Sequence, residues 1–367
     1  MSLVAHVPKI DVRSSGNAVA PARAAWCEIF PEALPRWDDL LLGTDSWLYQ
    51  YPLWNEPHRA LGLRPRYLAW GPPTRPLAYV CILTLGFRPA KIGLVFRGPT
   101  SLQLGAAIPK AALTQLLDWA RVKGYTFIRF THSDPEVLAN LAELGNARQM
   151  DAFPYFLDYP TVSPDFVVAQ HEDDEVTLDS FDREVRRKLR RASEAGYEFR
   201  GQDSPEALAC LWPLYRECSR RKGFRLERSL SIYMETLRRA QPHNCGRIYS
   251  VYLNDVPVGS ALVLRDGVSA HCVLAAFARE HRQSAVFLHW KAMRDMYRLG
   301  ARNYNFGPGP GTLARFKRQF APPCTVYPRP VTMVLNEPWF QVWEKVLFPV
   351  AKFLRPALVE VFSHVWG

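Results

Sequence analysis

The chain carries one structural pattern twice. Residues 66–70 read as a short strand, 71–75 as a turn rich in glycine and proline, and 77–85 as a second strand. In the second half, residues 247–253, 254–257 and 258–264 read the same way. There Asn254-Asp255 ahead of Pro257 supplies hairpin chemistry. Each hairpin leads into further β-like sequence and then into a helix. The first helix starts after Pro109, carries Leu113, Leu116, Leu117 and Ala120 on one face, and stops at Gly124 ahead of a strand over 125–130. The second carries Leu288, Ala292, Met296 and Leu299 on one face and stops at Gly300 ahead of a strand over 302–306.

The series recurs in order at an offset of about 180 residues, roughly one domain length. A chain of 367 residues, 48% of them apolar and 13% aromatic, has enough material for two cores. The expected fold class is therefore α/β (α+β): two tandem units, 1–165 and 166–335, with mixed and mostly antiparallel sheets. The boundary is expected near 158–175, where Pro160, Pro164 and the acidic run Glu172-Asp173-Asp174-Glu175 interrupt the pattern. A helical tail, 336–367, follows. In it Trp343, Leu347, Val350, Leu354, Ala357 or Leu358, Val361 and Val365 recur at helical spacing, with kinks expected at Pro349 and Pro356. Such a helix docks on the globule, or, since Lys345, Lys352 and Arg355 flank its apolar face, on a membrane surface.

A net charge of +11 favours a polyanionic partner: nucleic acid, an anionic membrane surface or a phosphorylated small substrate. A solvated basic surface is the plainer reading of the same number. The seven cysteines are scattered, without a C-x-x-C pair or a Cys/His cluster, so no metal site is expected. Cys210, Cys218 and Cys272 lie in apolar surroundings and read as buried thiols of a reducing compartment. The first 25 residues lack the apolar core of a leader, and no apolar run approaches the ~20 residues needed to span a bilayer. The expected location is cytoplasmic.

Three constellations carry chemistry. Phe181, Val185, Leu189 and Ala192 mark the apolar face of a helix closed by Gly196, and six cations share its remaining surface. With few acidic partners in the helix, that surface suits phosphates. Next, Asn303-Tyr304-Asn305-Phe306 ends a strand, and a loop containing Gly307, Gly309 and Gly311 leads into a short helix bearing Lys317. Glycines permit close backbone approach, and a helix start offers N–H groups to an oxyanion. The third is residues 128–137, where polar groups crowd a strand exit and Asp134-Pro135 is also a helix-start signal. A nucleophile elbow, an H-E-x-x-H pair and a dinucleotide fingerprint are all missing, which argues for direct transfer between two bound substrates.

Together these elements resemble the Fem family of aminoacyl-tRNA-dependent peptidyltransferases, whose members are built from two tandem GNAT-like domains. The stretch Arg183 to Gly196 is similar to the family's basic helix. Tyr304-Asn305-Phe306-Gly307 followed by Leu313-x-x-Phe316-Lys317-x-x-Phe320 is similar to its "YDFGG…L..FK..F" signature. Phe96-Arg97-Gly98-Pro99, Arg129-Phe130…Asp134-Pro135-Glu136 and Tyr49-Gln50…Trp54 resemble further stations. The matches span about residues 47–331. Departures are Asn305 in place of the usual acid, Thr131-His132-Ser133 ahead of Asp134, and His58 where a basic residue is usual. The long coiled-coil insertion of some members is absent.

The resemblance implies attack of an acceptor amine on the ester joining an amino acid to its tRNA. Lys317, with the Gly307, Gly309 and Gly311 backbone, would face the oxyanion, and Asp134 would orient or deprotonate the amine. Arg225, Arg228 and His58, with Tyr304 and Asn305, would hold a phosphorylated acceptor, either a peptidoglycan precursor or a small peptide. Arg186, Arg187, Lys188, Arg190 and Arg191 would contact tRNA phosphates. No cofactor beyond the aminoacyl-tRNA co-substrate is implied. An acyl-CoA-dependent N-acyltransferase is the alternative, although Arg282-Gln283-Ser284-Ala285 lacks the glycine of a pyrophosphate loop. A membrane-recruited assembly factor with a degenerate transferase fold is the third reading.

Overall fold

The computed structural model describes residues 24–72, 75–86, 89–150, 165–224, 228–309, 311–320, 324–325 and 327–350. Both repeated hairpins form. In the first half, β1 (Trp26–Glu28), β2 (Arg64–Trp70), β3 (Ala78–Leu85) and β4 (Ile92–Phe96) lie side by side and antiparallel. Helix α1 (Lys110–Val122) then crosses over, so that β5 (Phe127–Thr131) returns parallel to β4. Ala112, Leu113, Leu116, Leu117 and Ala120 are the buried stripe of α1, and Gly124 ends it with a left-handed φ of 74°. A second helix, α2 (Pro135–Glu143), follows β5.

The second half repeats the plan. After β6 (Asp165–Ala169) and the basic helix α3 (Arg183–Glu194) come β7 (Glu198–Gln202), β8 (Gly246–Leu253), β9 (Val256–Arg265) and β10 (Ser269–Phe277). Helix α4 (Arg282–Arg298) crosses over and ends before Gly300, whose φ is 105°. Strand β11 (Asn303–Asn305) then runs parallel to β10, followed by α5 (Gly311–Arg318), β12 (Val331–Val334) and α6 (Glu337–Val342).

The two halves exchange strands. β6 follows the first half in sequence but pairs with β11, through Asn303↔Ala169, Tyr304↔Val168 and Asn305↔Val167. β12 follows the second half but pairs with β5, from Val331↔Phe130 to Val334↔Phe127. The expected boundary at 335 therefore needs correction, because 331–334 lies within the first sheet, between β5 and residues 147–148. A short apolar run shows its period of two, not the edge that it joins. The acidic run 172–175 is no simple break either. Asp173 caps the short helix Asp174–Asp179, and Arg294 on α4 pairs with Asp174 at 2.6 Å.

One core joins the halves: Leu53, Tyr79 and Leu94 belong to the same cluster as Leu211, Leu262 and Leu264. Burying each such side chain contributes about 1.5–3 kcal/mol. A polar clasp fixes the alignment. Asp266 Oδ2 accepts from Leu48 N–H at 3.3 Å and from His271 Nε2 at 2.6 Å, and Gly267 N–H donates to Tyr51 Oη at 3.1 Å. A Cβ at Gly267 would lie 2.0 Å from the Thr44 carbonyl oxygen, so only glycine fits that turn.

Past α6 the helix widens into a π-type turn, Trp343–Leu347, just before Pro349. Proline lacks an N–H and its ring crowds the carbonyl four residues back, so the expected kink takes this form. Phe340 and Trp343 are buried, with ring centroids 5.5 and 4.8 Å from that of Phe127, which docks this part of the tail on the globule. Leu354, Pro356, Ala357, Leu358, Val361 and Val365 lie outside the described residues, as does the interrupted stretch 158–164. Among the described residues no helix is long and apolar enough to cross a membrane.

Candidate active site

The parallel strands β10 and β11 pair only at Ser269↔Asn303, Ala270↔Tyr304 and His271↔Asn305. β10 continues to Phe277, and its register against β9 slips by one residue at Val273, between Leu262↔Leu274 and Val263↔Cys272. Such a bulge bends its strand. Past His271↔Asn305 the ladder ends while β10 runs on, and this unpaired edge at the carboxyl ends of two parallel strands is the wedge of the candidate site. That is where open α/β sheets bind ligands.

The loop after β11 closes the wedge. Asn305 Oδ1 accepts from Gly307 N–H at 2.6 Å, and Gly307 turns the chain with a φ of 68°. A Cβ at Gly309 would sit 2.9 Å from the Leu313 side chain, and Gly311 opens α5 with a φ of 54°. From α5, Lys317 Nζ donates to the carbonyl oxygens of Phe306 (2.6 Å), Pro308 (2.8 Å) and Gly307 (3.1 Å). All three donors of the ammonium are engaged, so Lys317 is the clamp of the glycine loop in this structure. Burial pulls its pKa below the usual lysine value, and Cys272 and Asp165 act against that shift.

Neutral groups line the rest. The Tyr304 hydroxyl shares a 3.0 Å hydrogen bond with His289 Nδ1. Burial, helped by the charge of Lys317, pulls the His289 pKa down to about 3, while burial pushes the Cys272 thiol up to about 11. Near neutral pH the cluster holds an uncharged imidazole, a phenol and a thiol around one cation. A buried neutral thiol is a poor nucleophile.

Tyr304 and Asn305, expected at the acceptor, both point inward. Asn305 Nδ2 donates to Asp165 Oδ2 at 3.0 Å, and that oxygen also accepts from Tyr327 Oη at 3.0 Å. Asp165 thus stands one hydrogen bond from the position where the family signature carries an acid. Sequence reading missed it because it opens β6, inside the stretch 158–175 read as a boundary. The available signal was an acid at the head of the apolar run Phe166-Val167-Val168.

Asp134 is the N-cap of α2. Its Oδ1 accepts from Glu136 N–H at 2.8 Å, and its own N–H donates to His132 Nδ1 at 2.9 Å. Among the described residues no hydrogen bond carries it to the second sheet, so the helix-start reading accounts for its contacts.

His58 and Arg228, 170 positions apart, come together. The Arg228 guanidinium lies 4.7 Å from the Trp54 ring centroid, and the Trp54 and His58 rings are 5.5 Å apart. His58 is buried, and burial, with the charge of Arg228, pulls its pKa well below normal. Neither of its ring nitrogens finds a hydrogen-bond partner among the described residues. Arg225 lies outside the described residues.

Helix α3 buries Val185, Leu189 and Ala192 and turns its cations outward. Arg186 pairs with Asp179 at 2.8 Å, and Glu184 takes Arg187 at 2.6 Å and Lys188 at 3.6 Å. These are surface pairs that a phosphate readily displaces. Arg190 and Arg191 are exposed, with no ion pair among the described residues.

Residues 179–318 match the family model described as an acetyltransferase (GNAT) domain. No curated protein matches the chain. Among solved structures, the chain is similar to FemX, with a TM-score of 0.73 at 17% identity, covering 87% of this chain and 99% of that one. It is also similar to a conserved protein of unknown function from Bacteroides thetaiotaomicron VPI-5482, with a TM-score of 0.58 at 10% identity, covering 84% and 98%. At these identities the likeness shows the fold.

Proposed function

We propose that this chain, which has the FemX fold and a GNAT domain in its second half and is an acyltransferase on those grounds, moves an amino acid from aminoacyl-tRNA to an amine acceptor. The parting of β10 from β11 over a lysine-clamped loop carries the reading. The wedge takes the acyl end of the donor, and the outward cations of α3 take tRNA phosphates. The amine nitrogen attacks the ester carbonyl, the C–O bond to the ribose breaks, and the proton leaving the amine ends on the ribose oxygen. Lys317 meets the oxyanion in between, in a dry setting where one charge-assisted bond is worth most. Direct transfer fits a site whose thiol and imidazole are both neutral. His58 and Arg228, a cation beside a buried imidazole, suit a phosphate on the acceptor.

Acyl-CoA as donor is the competing reading. At the start of α4, Arg282–Ala285 are already helical, and Ser284 Oγ donates to the His281 carbonyl at 2.7 Å, so the glycine turn of a pyrophosphate loop is not formed there. Incubation with a labelled aminoacyl-tRNA pool, beside labelled acetyl-CoA, and a panel of amines tests the reading. Consumption of a tRNA ester with formation of an amide is the expected result. Amide formed only from acetyl-CoA overturns it.

The tail supports a peripheral membrane contact as well. Trp339, Val342, Val346 and Val350 are exposed on it, while Phe340 and Trp343 are buried. Flotation with anionic vesicles, with and without residues after Asn336, tests this. Equal flotation of the two forms removes the tail from any membrane role.

A further inference from the structure

The exit of β4 is built around an arginine. Arg97 follows the strand with a left-handed φ of 54°, a conformation that costs a residue with a side chain of order 1–3 kcal/mol. Several contacts hold it there. Its N–H donates to Thr131 Oγ1 at 3.1 Å, at the exit of β5. Gly98 lies so close to Gln50 that a Cβ would be 2.5 Å from the side-chain amide. Gln50 is fixed in turn, donating to the Phe96 carbonyl at 2.6 Å and accepting from Cys81 N–H at 2.8 Å.

The Arg97 guanidinium lies between aromatic faces, 3.1 Å from the Tyr327 ring centroid and 5.3 Å from that of Trp47. It is half-buried, and among the described residues it has neither a hydrogen-bond acceptor nor an ion pair. Asp165, whose charge it senses, is engaged by Tyr327 and Asn305. A guanidinium stays charged at any physiological pH, and a half-buried one without an acceptor is poised to receive an anion. Stacking leaves its edge as the binding surface, and two parallel N–H donors match two carboxylate oxygens side by side.

Resting on the acyl-transfer reading above, we propose that Arg97 anchors a carboxylate carried by the amine acceptor, so that the acceptor is an amino acid or peptide with a free acid group. The position explains the use. From Arg97 the contacts run through Tyr327, Asp165 and Asn305 to the loop held by Lys317. A molecule fixed by its acid at Arg97 extends its amine along that line toward the donor carbonyl. The His58–Arg228 pair is a separate cluster, built on Trp54, whose ring centroid is 6.0 Å from that of Tyr49.

Two measurements test the assignment, and the first needs no activity. In the full chain with isotopically labelled arginine, the Arg97 side-chain resonance is identified by its loss in Arg97→Lys and followed during titration. Acetate, inorganic phosphate and chloride are the probes. Acetate is expected to shift it saturably, at several-fold lower concentration than phosphate, while chloride produces only the drift of ionic strength. A response to acetate no different from chloride, or tighter binding of phosphate, overturns the proposal even if aminoacyl transfer is confirmed. The second compares a lysyl dipeptide acid with its C-terminal amide as acceptor. The wild type is expected to favour the acid at least tenfold in KM. Arg97→Gln removes that preference, and Arg97→Lys restores part of it. Equal KM values for acid and amide in the wild type also overturn the assignment, whereas inactivity toward both, beside a positive acetate titration, faults only the donor reading.

Discussion

The two halves share a plan and differ at one seam. In the first, β4 and β5 are laddered over their whole length, from Ile92↔Phe127 to Phe96↔Thr131. In the second, β10 and β11 part after His271↔Asn305. The causes are local. Gly93 lets β4 press against its neighbours so tightly that a Cβ would stand 2.9 Å from Ile82 and 3.0 Å from Ile128. β10 instead carries the bulge at Val273, and β11 ends after three residues, where Asn305 and Gly307 turn the chain. Duplicating a topology therefore did not duplicate a site. The proposed site takes its open seam and lysine from the second half and the strand exits bearing Arg97, Thr131 and His132 from the first.

The sharpest way to break this division is at Lys317. Lys317→Met leaves three loop carbonyls without their donor, and turnover is expected to fall roughly 10²–10³-fold. Single-turnover rates measured beside thermal melts check it. A rate within tenfold of the wild type takes the chemistry out of the second half.

The closed seam of the first half has its own test. Gly93→Ala forces a methyl group between Ile82 and Ile128 and is expected to cost about 1–3 kcal/mol of stability, with kcat/KM unchanged. Urea midpoints and initial rates decide. An unaltered midpoint means that the β4–β5 seam gives way as easily as its counterpart.

Acid should probe a buried imidazole in each half, His58 in the first and His289 in the second. The His289 pKa is about 3 in the folded state, below the ordinary 6.5. As pH falls through 6.5 the unfolded chain takes the proton first, so stability is lost progressively down to about pH 3. Between pH 7 and 5 the loss is about 2 kcal/mol. Denaturant curves at the two pH values should show that slope, and His289→Gln should flatten it. In the first half His58 is lowered well below normal and His132 is lowered too, both by burial, so His58→Gln is expected to remove its own share of the slope. If His132→Gln flattens the slope more than either, the titrating centres lie elsewhere.

The smallest effect on folding is expected at α3. Arg190→Ala with Arg191→Ala changes stability by no more than about 0.5 kcal/mol. It is expected to lower the salt dependence of tRNA binding by roughly 1–2 in slope. Filter binding between 50 and 200 mM salt, about the range over which such contacts weaken, reads it. An unchanged slope places the tRNA elsewhere.

Much of the architecture was legible because local rules carried it. Gly124, Gly196 and Gly300 ended helices where the apolar periodicity ran out, and all three adopt positive φ. The hairpin at Asn254-Asp255 formed with both residues in the left-handed region. The site was legible in part. Lys317 and the glycine loop do meet, but the lysine holds the loop, and Asp134 serves its own helix. Asp165 and Arg97 each left a local trace, but their meeting at Tyr327 did not, since three distant segments build that arrangement.

By itself the sequence determined which residues make strands and helices, where the helices stop, and which helix is basic. Those properties depend on neighbours a few positions away, through backbone preference and hydrophobic period. Only the tertiary structure decided that β6 and β12 cross between the sheets, that one parallel seam closes while the other opens, and that His58 meets Arg228. Each is a contact between segments far apart in the chain, selected by packing and by the satisfaction of buried polar groups, and no local pattern encodes it.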